Sequence, residues 1–143
     1  MFKLSNYFTL EEFLFSKTAA TYGIDNSPGR GIVGTLISTA EKMDKIRDLL
    51  GHPILVSSGY RSPELNKKVG SSPSSQHTKG QAVDFISPRF GTPREIVEAI
   101  IKSGIEFDQL ILEFDSWVHI SFIDNDSRNQ VLIIDKQGTR PFK

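Results

Sequence analysis

With 143 residues and 38% hydrophobic content, the chain is long enough for one folded domain with a real core, expected to span residues 1–143. Its 17 lysines and arginines balance its 17 aspartates and glutamates, so no global basic field draws it to DNA or RNA and nucleic acid is not an expected partner. The absence of cysteine removes disulfides and thiolate ligands and leaves His, Asp and Glu to hold any metal.

The N-terminal Met1-Phe2-Lys3-Leu4-Ser5-Asn6-Tyr7 lacks a basic region followed by a long apolar run, so no signal-peptide pattern is visible. No window approaches the ~20 apolar residues of a membrane span. A monomer made in the cytoplasm, with no stable membrane association, is the expectation. Thr9-Leu10-Glu11-Glu12 carries the capping-box pattern, and Leu10, Phe13 and Leu14 follow as an apolar stripe, which predicts a helix over about 10–19. Residues 20–30 are rich in turn formers and read as a connector. Val33, Leu36, Ile37, Ala40, Met43, Ile46, Leu49 and Leu50 recur at helical spacing; they predict a helix over about 32–50, stopped by Gly51 and Pro53.

Ile54-Leu55-Val56 reads as a short buried strand. Ser62-Pro63 is an N-cap with Pro at the first helical position, opening a short helix to about Val69. Gly70 to Gly80, rich in Ser, Pro and Lys, reads as a loop, and Ala82–Ile86 as a strand. Thr92-Pro93-Arg94-Glu95 is a second capping box, starting a helix that ends near Gly104. Gln109–Phe114, Trp117–Ile123 and Gln130–Asp135 read as three strands, the first two joined by a tight turn at Asp115-Ser116 and the last two by a longer turn at 124–127. This order predicts an α+β fold, a mostly antiparallel sheet packed against helices and closing in an antiparallel meander.

The chain has three histidines. His52, between Gly51 and Pro53, reads as a structural turn residue. His77 lies in the polar loop, with nothing apolar beside it and with Gly80 and Ala82 clearing space. Asp84 interrupts an apolar strand on the face opposite Val83 and Phe85. His119 interrupts Trp117-Val118-His119-Ile120. A carboxylate or imidazole in a buried strand is costly without a strong partner. One shared divalent ion would serve all three groups. Two imidazoles and a carboxylate suit a catalytic Zn²⁺ with one position open, and admit other divalent ions.

Three segments together, Ser57-Ser58-Gly59-Tyr60-Arg61-Ser62, Ser75-x-His77-x-x-Gly80-x-Ala82-x-Asp84 and Trp117-Val118-His119-Ile120-Ser121-Phe122, resemble the zinc D-alanyl-D-alanine carboxypeptidase family. That family includes bacterial cell-wall carboxypeptidases and phage endolysins, on a fold shared with hedgehog signalling domains. The resemblance covers most of the chain, and Phe8-Thr9-Leu10-Glu11-Glu12-Phe13 and Gly23-Ile24-Asp25-Asn26 are similar to its phage and prophage branch. It implies one zinc ion held by His77, Asp84 and His119, Arg61 and Ser75 as substrate-binding groups, and Arg61 steadying negative charge at the scissile bond. It gives Gln76 no role. It implies hydrolysis of peptidoglycan stem peptides, by an enzyme that reaches the wall after release or as part of a virion. In several family members a glutamate lies three residues before the last histidine; here that position is Ser116. Glu113 is the preferred general base and Asp115 the alternative. The departure at Ser116 also supports a rival reading, an inactive peptidoglycan-binding or phage structural module on the same fold.

Overall fold

The computed structural model describes residues 2–143. Helix α1 (Leu10–Leu14) starts from the capping box: Thr9 Oγ1 accepts from the Glu12 amide at 3.2 Å, and Glu12 Oε1 accepts from the Thr9 amide at 3.0 Å. The single helix expected over 10–19 is two. Phe15 is extended, and the Ser16 hydroxyl caps Ala19 to start α2 (Lys17–Tyr22), which runs into the expected connector. An N-cap serine satisfies an amide that continuation of the first helix would also satisfy, so a corner here costs little. Helix α3 (Arg30–Leu50) buries Leu36, Ala40, Met43, Ile46 and Leu50, and ends at Gly51 in the left-handed conformation (φ +68°).

Helix α4 (Pro63–Lys68), capped by Ser62, follows as read from the sequence, but strand β1 (Leu55–Ser58) starts one residue later than Ile54, runs to Ser58 and is not buried as expected: Leu55 and Ser57 are exposed, because β1 is an edge strand. The expected loop to Gly80 contains a 3₁₀ turn over Gln76–Lys79. Then come β2 (Ala82–Ile86), α5 (Pro93–Ser103), β3 (Gln109–Glu113), β4 (Trp117–Ser121), β5 (Gln130–Asp135) and β6 (Gly138–Pro141). The short strand β6 was not expected. The six strands form one sheet in the order β1-β2-β4-β3-β5-β6, so the α+β class with a mostly antiparallel sheet is the observed one. The closing meander is not: β5 pairs with β3 in parallel. The Arg128 guanidinium donates to both carboxylate oxygens of Asp108, at 2.9 and 2.6 Å, and the Gln130 amide donates to the Asp108 carbonyl at 3.0 Å. These bonds bring the return from β4 to the start of β3, and β5 departs alongside it.

The β3–β4 turn centres on Phe114 and Asp115, one residue earlier than expected. Both have positive φ (52° and 53°), and the Ser116 amide donates to the Glu113 carbonyl at 2.9 Å. Asp tolerates that conformation; for Phe it is uncommon. One face of the sheet, carrying Val83, Phe85, Leu110, Leu112, Val118 and Ile120, is 0–1% exposed and joins the core with α3 and α5. The opposite face carries Asp84, Ile111, Glu113, Trp117 and His119. No described helix is long and apolar enough to cross a membrane.

Candidate metal centre

Asp84 on β2 and His119 on β4 are direct partners across an antiparallel pair, so both project from one face with their side chains adjacent. His119 Nδ1 lies 2.8 Å from Asp84 Oδ1, and His77 Nε2 lies 3.2 Å from the same oxygen. The three ligand atoms all fall within 4.8 Å of one another. Atoms ~2.0–2.1 Å from a tetrahedral zinc sit roughly 3.3 Å apart, so the spacing fits such a centre.

The donor set fits as well. A carbonyl oxygen only accepts, so the 2.7 Å contact between His77 Nδ1 and the Gly59 carbonyl places the proton on Nδ1. In a neutral ring Nε2 is then a lone pair, and it faces a carboxylate oxygen. Two acceptors meet only around a proton or a cation. A backbone acceptor behind a ligating histidine also orients the ring and sets its tautomer.

Gly59 makes this contact possible. A Cβ there would lie 2.5 Å from the Phe13 carbonyl oxygen, so only glycine lets the end of β1 lie against α1. The Tyr60 amide donates to that carbonyl at 2.8 Å, the Arg61 amide to the His77 carbonyl at 3.1 Å, and the Ser62 amide to Asn26 Oδ1 at 2.7 Å. Asn26 also donates to the Leu14 and Tyr60 carbonyls. Gly59 and Asn26 are thus the frame of the site. Gly59 and Asn26 each stood inside a quoted segment, but neither segment reveals the contacts, since Phe13 lies 46 residues from Gly59 and Ser62 lies 36 from Asn26.

His77 is not in an open polar loop as expected. It is 2% exposed, folded under the motif around Gly59. Gly80 does not clear space for an ion; it caps the 3₁₀ turn at φ +75° and allows approach to Leu36, whose Cδ2 would lie 3.2 Å from an added Cβ. Ser75 Oγ accepts from the His77 amide at 3.2 Å, so its hydroxyl helps to set the turn that carries the histidine. Gln76 Nε2 donates to Gln81 Oε1 at 3.3 Å. His52 lies in the bend after α3, apart from the cluster.

Burial would push the Asp84 carboxyl up, but the charge and hydrogen bonds of His77 and His119 outweigh it and hold the group well below the usual carboxylate range. Glu113 shifts the other way. Burial and then the Asp84 charge raise it, with His119 and Arg61 offsetting part of the rise. Its Oε1 lies 3.8 Å from His119 Nδ1, too far for a hydrogen bond and close enough to set the carboxylate beside the cluster. Burial lowers Arg61, while the charges of Asp84 and Glu113 pull it back up. Among the described residues Arg61 makes no ion pair, and its Nε is buried without a partner. Asp115 is exposed at the turn and lines a different cleft, with Arg94 and Asp135. The structure therefore brings together His77, Asp84, His119, Glu113 and Arg61, with Ser75 behind His77, and leaves Asp115 outside.

The model of the family described as Peptidase M15 matches residues 6–121, a span that contains every residue of this cluster. No curated protein matches the chain.

Proposed function

Because the chain belongs to the peptidase M15 family, we propose that it is a zinc metallopeptidase that hydrolyses a peptide bond in peptidoglycan stem peptides, as a D,D-carboxypeptidase or an endolysin-type endopeptidase. The observation that carries this reading is the convergence of His77 Nε2 and His119 Nδ1 on one oxygen of Asp84, with Glu113 3.8 Å from His119. A bound zinc would supply Lewis acidity toward the scissile carbonyl and acidify water toward a pKa of ~7.

The chain's own groups do the rest. Glu113, raised by burial, takes a proton from the attacking water and returns it to the leaving amine. Its position supports catalysis over an inactive module, because it offers a base where Ser116 does not. Arg61, a part-buried cation without a carboxylate partner, steadies the negative charge that grows on the carbonyl oxygen. Ser75 holds the His77 turn through the His77 amide.

Release of free amines from purified cell walls tests the reading. Chelation or His77→Ala should abolish release, and zinc should restore it after chelation only. Full release by metal-free protein would rule the reading out. Mass spectrometry of the digested muropeptides separates carboxypeptidase from endopeptidase.

A further inference from the structure

Asp84 of the metal cluster lines a cleft of about 250 Å³, together with residues of the α1–α2 corner and of the end of α4. Its lining includes Phe15, Lys17, Thr18, Arg61, Val69 and Asp84. Asp84 is the only carboxylate in that lining among the described residues, and its Oδ1 is committed to both histidines. Two cations, Lys17 and Arg61, therefore face the cleft without an ion-pair partner. Phe15 and Val69, both in the lining, are 69% and 42% exposed.

Lys17 is the first residue of α2. The first turn of a helix favours acids over cations, so a lysine gains nothing there from its own helix. Phe15 ends α1 in an extended conformation and contributes nothing to the core. A solvent-facing aromatic and an unpaired ammonium at the mouth of one cleft make a surface for an amphipathic anion.

We propose that Lys17 and Phe15 determine specificity at this site: Lys17 selects a peptide that carries a free carboxylate over its amidated counterpart, and Phe15, with Val69, holds the aliphatic stretch beside it. This rests on the peptidase reading and adds the kind of peptide taken. The carboxylate can belong to a side chain or to the chain end. Both present the same charged group to an ammonium, and an ion pair at this exposed rim favours binding by about fivefold at low salt, less as salt screens it.

The test uses one synthetic stem pentapeptide in three forms: both carboxylates free, the side-chain carboxylate amidated, and the terminal carboxylate amidated. Calorimetry on the chelated full chain measures their affinities without turnover. Zinc titration of the same preparations reads the underlying metal site separately. The parent protein should bind the fully free form about fivefold tighter than one of the amidated forms, and which form loses affinity identifies the carboxylate. Lys17→Glu should remove that preference, Lys17→Arg should keep it, and Phe15→Ser should weaken all three forms alike. Zinc uptake should be the same in every variant. Equal affinity of the parent for all three forms, or an undiminished preference in Lys17→Glu, overturns the proposal. Failure of zinc uptake alongside an intact preference overturns the peptidase reading and leaves the carboxylate preference as a property of peptide binding alone.

Discussion

The two faces of one sheet teach different lessons about the same strands. On β2 and β4, Val83, Phe85, Val118 and Ile120 are fully buried under α3 and α5. Their alternating neighbours Asp84 and His119 face the other way, into a set of polar groups that satisfy one another incompletely. The first face gains stability from apolar area removed from water. The second spends some of it: Trp117 Nε1 on this face and Arg61 Nε in the segment after β1 are buried without partners, and Asp84 Oδ1 faces the lone pair of His77 Nε2. Orphaned polar atoms on one face of an otherwise well-packed sheet mark the face that was kept for chemistry.

The sharpest way to break this contrast is at two adjacent residues. His119→Ala should abolish amine release and zinc uptake while leaving the fold intact, because the helix-covered face is untouched. Ile120→Ala should do the reverse, lowering stability by about 2–5 kcal/mol with zinc stoichiometry unchanged. Denaturant titration and metal analysis on both variants check this; loss of zinc uptake in a still-folded Ile120→Ala protein would contradict the division between faces.

The two acids near the β3–β4 turn provide a finer cut. Glu113→Gln should lower kcat by about 10²–10⁴ with zinc binding retained. Asp115→Asn, at an exposed turn, should change kcat by less than about twofold, within the ordinary ±0.5 kcal/mol of surface substitutions. Steady-state kinetics on both variants decide between them, and the opposite ranking would make Asp115 the base.

The smallest effect comes from a buried acid that has its partner. Asp108 is 2% exposed. The Arg128 hydrogen bonds hold its carboxyl below the usual range, against the opposing effect of burial. A carboxyl lower in the folded state than in the unfolded chain adds stability above its unfolded pKa, about 3.9, and that stability is lost as pH falls through the folded value. Thermal unfolding should therefore shift to lower temperature below about pH 4, and Asp108→Asn should flatten that part of the profile. An unchanged acid limb in the variant would show that the pair does not tie β5 to β3 as the hydrogen bonds imply.

Much of this was legible in the chain itself. Both capping boxes act as read, at Thr9 with Glu12 and at Thr92 with Glu95, because a cap is a local hydrogen bond between residues three apart. The periodic stripe of α3 and the strand alternation around Asp84 and His119 were equally visible, since side-chain direction along an element follows from backbone geometry alone. Strand direction is not encoded that way. Nothing in Gln130–Asp135 distinguishes a parallel neighbour of β3 from an antiparallel neighbour of β4; the Asp108–Arg128 pair, 20 residues apart, decides it. The corner at Ser16 was hidden because a serine inside an apolar stripe serves either a helix or a cap.

The amino-acid sequence by itself determined which groups could bind a metal: two histidines and one aspartate in segments that otherwise bury apolar side chains. Only the tertiary structure decided how they meet. It folds a turn read as open and polar beneath Gly59, buries His77, and fixes its proton by a carbonyl 18 residues away. It sets Glu113 beside the cluster and turns Asp115 out of it, though the two are two residues apart. The physical reason is that residue type sets which bonds a group can make, whereas burial, proton placement and the facing of lone pairs depend on which distant backbone is packed against it.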